Sequence, residues 1–249
     1  MAKTKQKIFK QKVLLVLAVV LGLMVFKFFL MKKPVELNLN KTANQIQITE
    51  LDISICDPAN GPFSTAIDNP FFPYPEGKIV ILEDQTAKVQ ITSLNKIETV
   101  AGVETRVIEE REWEDDTLLE ISLNYFAQAK DGTVCYFGED VDIYENGVVN
   151  SHGGAWRAGE GSNKPGIIMP ANPTVGQSYQ QEVAPGIAED RAEHFSIEKS
   201  FSTPAGVFEN ILLVKETPDS TKRYAKGVGL IFDDGLVLTS QDTRYFPLN

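Results

Sequence analysis

Residues 118–150 read LLEISLNYFAQAKDGTVCYFGEDVDIYENGVVN, and this stretch decides the fold class. Its short apolar segments are rich in Val, Ile, Tyr and Phe, the residue types that pleated strands favour. Asp131-Gly132 and Asn146-Gly147 separate these segments, and such dipeptides are typical of tight hairpin turns. The pattern predicts antiparallel strands joined by hairpins. The predicted strands are residues 118–128, 133–137, 141–144 and 148–150.

The same pattern extends in both directions from this stretch. Further strands are predicted at residues 78–83, 87–94, 103–112, 178–183, 194–202, 207–216, 221–226, 228–232 and 236–240. One short helix is predicted at residues 187–193. No regular alternation of strands and helices appears, which argues against a parallel α/β sheet. The sequence therefore predicts one mainly β domain over residues 46–249. We expect an antiparallel curved sheet or half-barrel, with a sandwich as the alternative.

The N-terminal segment has the pattern of a membrane anchor. Residues 13–31 are apolar apart from Lys27, and a helix of that length nearly spans the hydrocarbon core of a bilayer. Five lysines precede it, which favours a cytoplasmic tail at residues 1–12 and a C-terminal domain outside the cytoplasm. Residues 32–45 form a polar tether in this interpretation. A cleaved signal peptide is the alternative, although no A-x-A site follows the apolar run.

Charge is unevenly distributed along the chain. The chain has 24 basic and 34 acidic residues, yet the first 33 residues contain eight lysines and no acid. The rest of the chain is therefore strongly acidic. An acidic surface repels phosphate backbones, so nucleic acid is not expected as a partner. With 43% hydrophobic residues, the chain is neither wholly disordered nor a multi-span membrane protein.

Cys56 and Cys135 are the two cysteines of the chain. Outside the cytoplasm they could form one disulfide that closes a long loop. The alternative is a buried free thiol at Cys135, which lies in an apolar strand-like run. His152 and His194 lack the spacing of known zinc motifs, which argues against a transition-metal centre.

Acidic residues supply the candidates for metal binding and hydrolysis. Glu139, Asp140 and Asp142 offer oxygen ligands that suit calcium, without the EF-hand pattern. The alternative is a solvated strand end, and the acidic run at residues 109–116 is likewise expected to be a solvated hairpin end. No nucleophile elbow, phosphate-binding loop or dinucleotide motif is present. An enzyme is less expected than a binding protein, no catalytic residue is assigned, and no cofactor other than calcium is expected.

Aromatic residues supply the candidates for ligand binding. Residues 57–77 are rich in proline and aromatics, and residues 151–173 form a long Gly- and Pro-rich loop, a kind of segment that is often functional. These segments could line a groove for a hydrophobic, lipid-like ligand. The candidate ligand-binding residues are Phe71, Phe72, Tyr74, Trp156 and Met169. The alternative is that they pack the core.

Several motifs together resemble an uncharacterised family of bacterial secreted or envelope proteins. They are DNPFFP at residues 68–73, YFGED at 136–140, KPGIIMP at 164–170 and APGIAED at 184–190, followed by KGVGL at 226–230. The resemblance covers residues 63–232 and implies an extracytoplasmic β domain without an established activity.

These observations favour a membrane-anchored, extracytoplasmic binding or structural module of the bacterial envelope. Its expected contacts are the membrane, through residues 13–31, and an envelope protein or a hydrophobic ligand. The first alternative is a carrier that holds a hydrophobic ligand in a concavity of the sheet. The second is a hydrolase that uses paired carboxylates.

Overall fold

The structure is a computed structural model that describes residues 47–243. The tail, the apolar segment at residues 13–31 and the tether therefore lie outside the described residues, and so does the predicted transmembrane helix. Two 3-10 helices, Ile53–Cys56 and Pro58–Asn60, precede the long strands. Within residues 47–243, no helix has the length and apolar character needed to cross a bilayer.

The described residues form seventeen strands in one sheet. They are β1 (Thr49–Glu50), β2 (Phe63–Ser64), β3 (Lys78–Glu83), β4 (Ala87–Val100), β5 (Val103–Glu114), β6 (Thr117–Ala129), β7 (Val134–Glu145), β8 (Val148–Ser151), β9 (Trp156–Arg157), β10 (Lys164–Met169), β11 (Gln177–Gln180), β12 (Glu182–Val183), β13 (Arg191–Thr203), β14 (Gly206–Glu216), β15 (Ser220–Ala225), β16 (Gly229–Asp233) and β17 (Leu236–Thr243).

The strand pairings close into a ring. Strands β3 to β7 pair in sequence order, and β7 then pairs with β10, which pairs with β12. Strand β12 follows β11 directly in the chain, and β11 pairs with β13. The segment β11–β12 therefore joins this half of the ring to the half that begins with β13. Strands β13 to β17 again pair in sequence order, and β17 pairs with β3. Closure distributes the strands around a common interior.

The predicted mainly β class is confirmed, and two details of the architecture differ. The sheet is mixed, because β1 runs parallel to β11 while the other pairings of the described residues are antiparallel. The strands form one large sheet whose pairings return from β17 to β3, a feature that the sequence did not predict. Closure depends on the β10–β12 and β17–β3 pairings, which join segments that are distant in sequence and leave no local pattern.

The turns follow the predicted dipeptides. Asn146 and Gly147 have φ values of 54° and 79°, and Asp234 with Gly235 is also left-handed. Left-handed conformation at both central positions matches the right-handed twist of hairpin strands. The helix predicted at residues 187–193 is wrong. Arg191 already begins β13, which pairs with β11 and β14, and these tertiary pairings override the local pattern.

The Pro-rich loop at residues 69–75 closes one end of the ring. The buried Asn69 side-chain amide donates to the carbonyl oxygens of Gly132 and Pro170, at 2.9 and 3.0 Å. Lys78 Nζ donates to the Pro73 carbonyl at 2.7 Å. These bonds hold the loop against three parts of the ring, and Phe72 and Tyr74 of the loop line the interior.

A disulfide joins the N-terminal part of the domain to β7. Cys56 and Cys135 are bonded, with their Cα atoms 5.5 Å apart and a sequence separation of 79. Both residues are fully buried. Nearby, the Phe63 and Phe137 rings meet edge to face at 5.5 Å. The segment before β3 is therefore attached to the ring both covalently and by aromatic packing.

Candidate functional site

A cavity of about 380 Å³ lies inside the ring. Its lining comes from β4, β5, β6, β7, β10, β12, β14, β15 and β16 and from the loop at residues 69–75. Because strands from both halves of the ring contribute, the cavity lies between the strands of the ring. Its size falls within the usual range for small-molecule sites.

The end of the cavity next to the Pro-rich loop is mostly aromatic. Phe126 lies between Phe72 and Tyr136, with ring centroids at 5.3 and 4.7 Å. Tyr74 and Leu230 complete this surface, and all five residues line the cavity and are at most 7% exposed. We call these five residues the apolar floor.

The rest of the cavity carries a large excess of acidic groups. Eight carboxylates line it, and we call them the acidic wall: Glu110, Glu112, Glu120, Glu139, Glu182, Asp190, Glu216 and Asp233. Lys222 is the single Lys or Arg among the lining residues. The interior therefore has a strongly negative potential whenever these carboxylates are ionised.

Strand alternation explains how acids reach the interior. Residues two apart in a strand share a face, so Glu110 and Glu112 of β5 both point inward. Glu110 lies opposite Ser122 of β6, and Glu112 lies opposite Glu120. Directly opposite residues on one face are close neighbours. The β5–β6 pair thus places three carboxylates and one hydroxyl side by side.

Burial and mutual repulsion raise the pKa of several of these carboxyls. Burial, reinforced by Glu112, raises the pKa of Glu110 to about 8. Burial together with Glu120 raises the pKa of Glu112 to about 7. Burial and the neighbouring Glu182 raise the pKa of Glu139 to about 8. Part of the acidic wall is therefore protonated at neutral pH, which lowers the cost of holding so many acids in one cavity.

Lys222 offsets part of the negative charge. Its Nζ lies 3.1 Å from a carboxylate oxygen of Glu216 and 3.7 Å from one of Asp233. Burial alone would lower the pKa of Lys222, but Glu216, Asp233 and other cavity groups raise it well above its usual value. Lys222 is therefore charged and already paired. Gln181 donates to the other oxygen of Glu216 at 2.8 Å, which fixes that carboxylate.

Two tyrosine hydroxyls also face the cavity. Tyr74 and Tyr224 line it and are only 2% and 3% exposed. Burial raises the pKa of both phenols, and the charged groups that act on both include Lys222 and Asp233. Within residues 47–243, neither hydroxyl has a hydrogen-bond partner, in contrast to Tyr136, which donates to Asn124 at 2.6 Å. The two phenols are thus polar groups that point into the cavity and have no partner there.

The five residues predicted to bind a ligand separate in the structure. Phe72 and Tyr74 line the cavity. Phe71 is half-buried beside the core, and Met169 is fully buried within it. The Trp156 ring packs edge to face on Tyr136 at 5.4 Å, outside the cavity lining. The structure therefore places two of the five where a cavity ligand would contact them.

The predicted calcium ligands do not come together. Glu139 points into the cavity, whereas Asp140 and Asp142 lie on the other face of β7. Asp140 accepts from Arg157 Nε at 2.9 Å, and an oxygen of Asp142 lies 2.9 Å from His152 Nδ1. No group of three or more His, Cys, Asp or Glu side chains within residues 47–243 has an arrangement that suits a metal ion. Calcium binding stays a prediction that the structure does not support.

Most residues of the acidic wall were not predicted from the sequence to belong to a site. The run at residues 109–116 is predicted to be a solvated hairpin end, and Asp115 and Asp116 are indeed exposed at the turn. Glu109 also lies outside the cavity, where it accepts from Arg111 at 2.7 Å. Glu110 and Glu112 lie inside. The sequence did contain one signal for Glu110 and Glu112, because acids at every second position of a predicted strand share one face. Nothing local linked these acids to Glu182, Asp190, Glu216 or Asp233, which other strands and loops contribute.

Comparison with known proteins gives no assignment. No model of a known protein family matches the chain, and no curated protein and no solved structure is significantly similar to it. The resemblance to a bacterial secreted or envelope family therefore stays a prediction, and the function is argued from the cavity.

Proposed function

We propose that this protein is a binding module that holds a small organic molecule inside its ring of strands. The observation that carries the proposal is the cavity of about 380 Å³, whose lining divides into an apolar floor and an acidic wall. Small-molecule sites typically combine an apolar surface with a few polar groups that orient the ligand. Buried carboxylates that repel one another destabilise the fold. A binding function accounts for their presence, whereas a purely structural function does not.

The proposed setting is the outer side of a bacterial membrane, with residues 13–31 as anchor. The buried Cys56–Cys135 bond supports it, since disulfides persist mainly in oxidising compartments. N-terminal sequencing of the mature protein tests the anchor. A start at the initiator region is expected, and a start beyond residue 31 would mean that the segment is cleaved.

Native mass spectrometry of the full chain, purified from its membrane in mild detergent, tests the binding function. We expect a population with additional mass that disappears on denaturation, from a molecule held in the cavity. Ser122→Trp fills the interior at a position opposite Glu110 and should abolish the additional mass.

Ser202→Trp is the matched control, because Ser202 is exposed on β13 outside the cavity lining. Far-UV circular dichroism and the melting temperature establish that both variants are folded. Equal ligand content in the two folded variants would place the ligand elsewhere and overturn the proposal.

Hydrolysis by paired carboxylates is the second candidate. Glu112 and Glu120 lie directly opposite each other in the cavity, and the pKa of Glu112 is raised to about 7, as a general acid requires. Hydrolysis of a panel of nitrophenyl glycosides tests this candidate. Hydrolysis by the wild-type protein that is lost in a folded Glu120→Gln variant would support this candidate. If the wild type hydrolyses no glycoside of the panel faster than Glu120→Gln does, the candidate is excluded for these substrates.

A further inference from the structure

We propose that the cavity ligand is an organic amine, with its ammonium group among Glu110, Tyr74 and Tyr224 and its apolar part on the floor. This inference rests on the proposed binding function and names the chemical class of the ligand. It follows from three independent properties of the cavity, which are its charge, its unpartnered phenols and the direction in which its polarity changes.

The first property is a surplus of negative charge that the protein does not neutralise. Lys222 is the single Lys or Arg in the lining, and Glu216 and Asp233 already pair with it. The other members of the acidic wall face the same space without a cation from the lining. An anionic or fatty-acid-like ligand would add to the repulsion, whereas an ammonium group would relieve it.

The second property is the pair of phenols. Tyr74 and Tyr224 are 98% and 97% buried, and their hydroxyls face the cavity without a partner in the described part of the chain. Because these hydroxyls face the cavity, a ligand inside it can form hydrogen bonds with them. An ammonium group can donate three hydrogen bonds, and phenol oxygens and a carboxylate can accept them. Tyr74, Glu110 and Lys222 line the same cavity.

The third property is the gradient of polarity along the strands. From the floor outward, the inward-facing pairs of β5 and β6 are Ile108 with Asn124, Glu110 with Ser122, and Glu112 with Glu120. The floor residue Phe126 precedes these pairs on β6, so the carboxylates of β5 begin two inward-facing pairs beyond it. A ligand with a cationic head and a short apolar body matches this order, while a polycation without an apolar part leaves the aromatic rings uncovered.

Three probes of nearly equal shape test the proposal by isothermal titration calorimetry on the full chain. They are phenylpropylamine, phenylpropanol and phenylpropionate, which are cationic, neutral and anionic at about pH 9. At that pH, Glu110 and Glu139 are largely ionised. We expect the amine to bind about tenfold more tightly than the alcohol, and the carboxylate to bind most weakly.

The outcomes separate the inference from the function on which it rests. Equal or tighter binding of the alcohol or the carboxylate would overturn the amine proposal and leave the binding function in place. No binding of any probe, together with equal native masses for wild type and Ser122→Trp, would overturn both.

Two variants test the position of the ammonium group. Glu110→Gln should weaken the amine by about fivefold or more and change the alcohol by less than about twofold, since only the amine carries the charge. Glu209→Gln, at an exposed position of β14, is the control and should leave both affinities unchanged. Tyr74→Phe should weaken the amine, with Tyr144→Phe, outside the cavity lining, as control. Equal losses for amine and alcohol in Glu110→Gln would mean a merely structural role and overturn the assignment.

Discussion

At the scale of single residues, the acidic wall makes the protonation state of the interior part of its stability. Glu110 and Glu139 both have a pKa of about 8, against an ordinary value of 4.5. A raised pKa in the folded state means that this state holds the proton more firmly than the unfolded chain. The stabilisation is complete below about pH 4.5 and is lost as the pH rises through about 8. The groups that face Glu110 and act on it are Glu112, Glu120, Asp233 and Lys222.

We therefore expect the free energy of unfolding to fall by about 2–3 kcal/mol between about pH 6.5 and pH 8.5. Urea denaturation across this window measures the change. Glu112 and Glu182, whose pKa burial raises to about 7, add to the fall, whereas Lys78, whose pKa burial lowers to about 8, opposes it near the upper end of the window. His194, whose pKa burial lowers to about 4, affects stability mainly below the window. Glu110→Gln should flatten the pH dependence, whereas the exposed Glu209→Gln should not. A stability that rises with pH in the wild type would contradict the raised pKa values.

The lysine of the cavity leads to a second prediction at the same scale. Lys222→Met removes the cation that pairs with Glu216 and Asp233 and leaves buried carboxylates uncompensated. We expect a loss of about 3 kcal/mol at about pH 8 and a smaller loss at about pH 5, where more of the acidic wall is protonated. Thermal and urea denaturation at both pH values check this. Lys199→Met, at an exposed position of β13, serves as the control. A loss of equal size at both pH values would show that packing, not charge, is responsible.

At the scale of elements, ring closure depends on a close approach between β10 and the bent segment at residues 177–183. A Cβ added at Gly166 would lie 2.3 Å from the Gln181 carbonyl oxygen, and backbone atoms cannot move aside as a side chain can. Gly166 also pairs with Tyr136 across β7. A glycine is required here because two neighbouring backbones meet at this position, not because of its φ value.

Gly166→Ala should accordingly destabilise the domain by about 2–3 kcal/mol or more and weaken ligand retention, since it disturbs the pairing that encloses the cavity. The matched control is Gly153→Ala, where φ is also ordinary and the nearest contact is the Ser151 side chain at 3.3 Å. Urea denaturation and native mass spectrometry measure the two effects. Similar stability of the two variants would mean that β10 and residues 177–183 can move apart at little cost in free energy, contrary to the prediction.

At the scale of the whole molecule, the Cys56–Cys135 bond ties the segment before β3 to the wall of the ring. It spans 79 residues, and a cross-link over such a loop restricts the unfolded chain. We expect the Cys56→Ala, Cys135→Ala double variant to lose about 2–4 kcal/mol of unfolding free energy. Reductant should lower the melting temperature of the wild type and leave that of the double variant unchanged. An effect of reductant on both would point to a cause other than this bond.

The mainly β class, the turns and many of the strands follow from local patterns in the amino-acid sequence. Asn146-Gly147 and Asp234-Gly235 specify hairpins through their own backbone preferences, and β5, β6 and β14 follow the alternation within single segments. These signals act between residues that are near in sequence, so they can be read without the fold. The helix predicted at residues 187–193 failed for the same reason, because pairing with β11 and β14 outweighs the local preference.

The candidate site, in contrast, depends on contacts between segments that are far apart in sequence. Strand alternation indicates which residues of β5 share a face, but not whether that face points inward. That depends on the β10–β12 and β17–β3 pairings, which close the ring between segments far apart in sequence. Closure brings Glu110, Glu182 and Asp233 around one cavity and places Tyr74 beside them. Their raised pKa values, and the preference for an amine that we infer from them, are properties of this shared buried space and of no single segment of the chain.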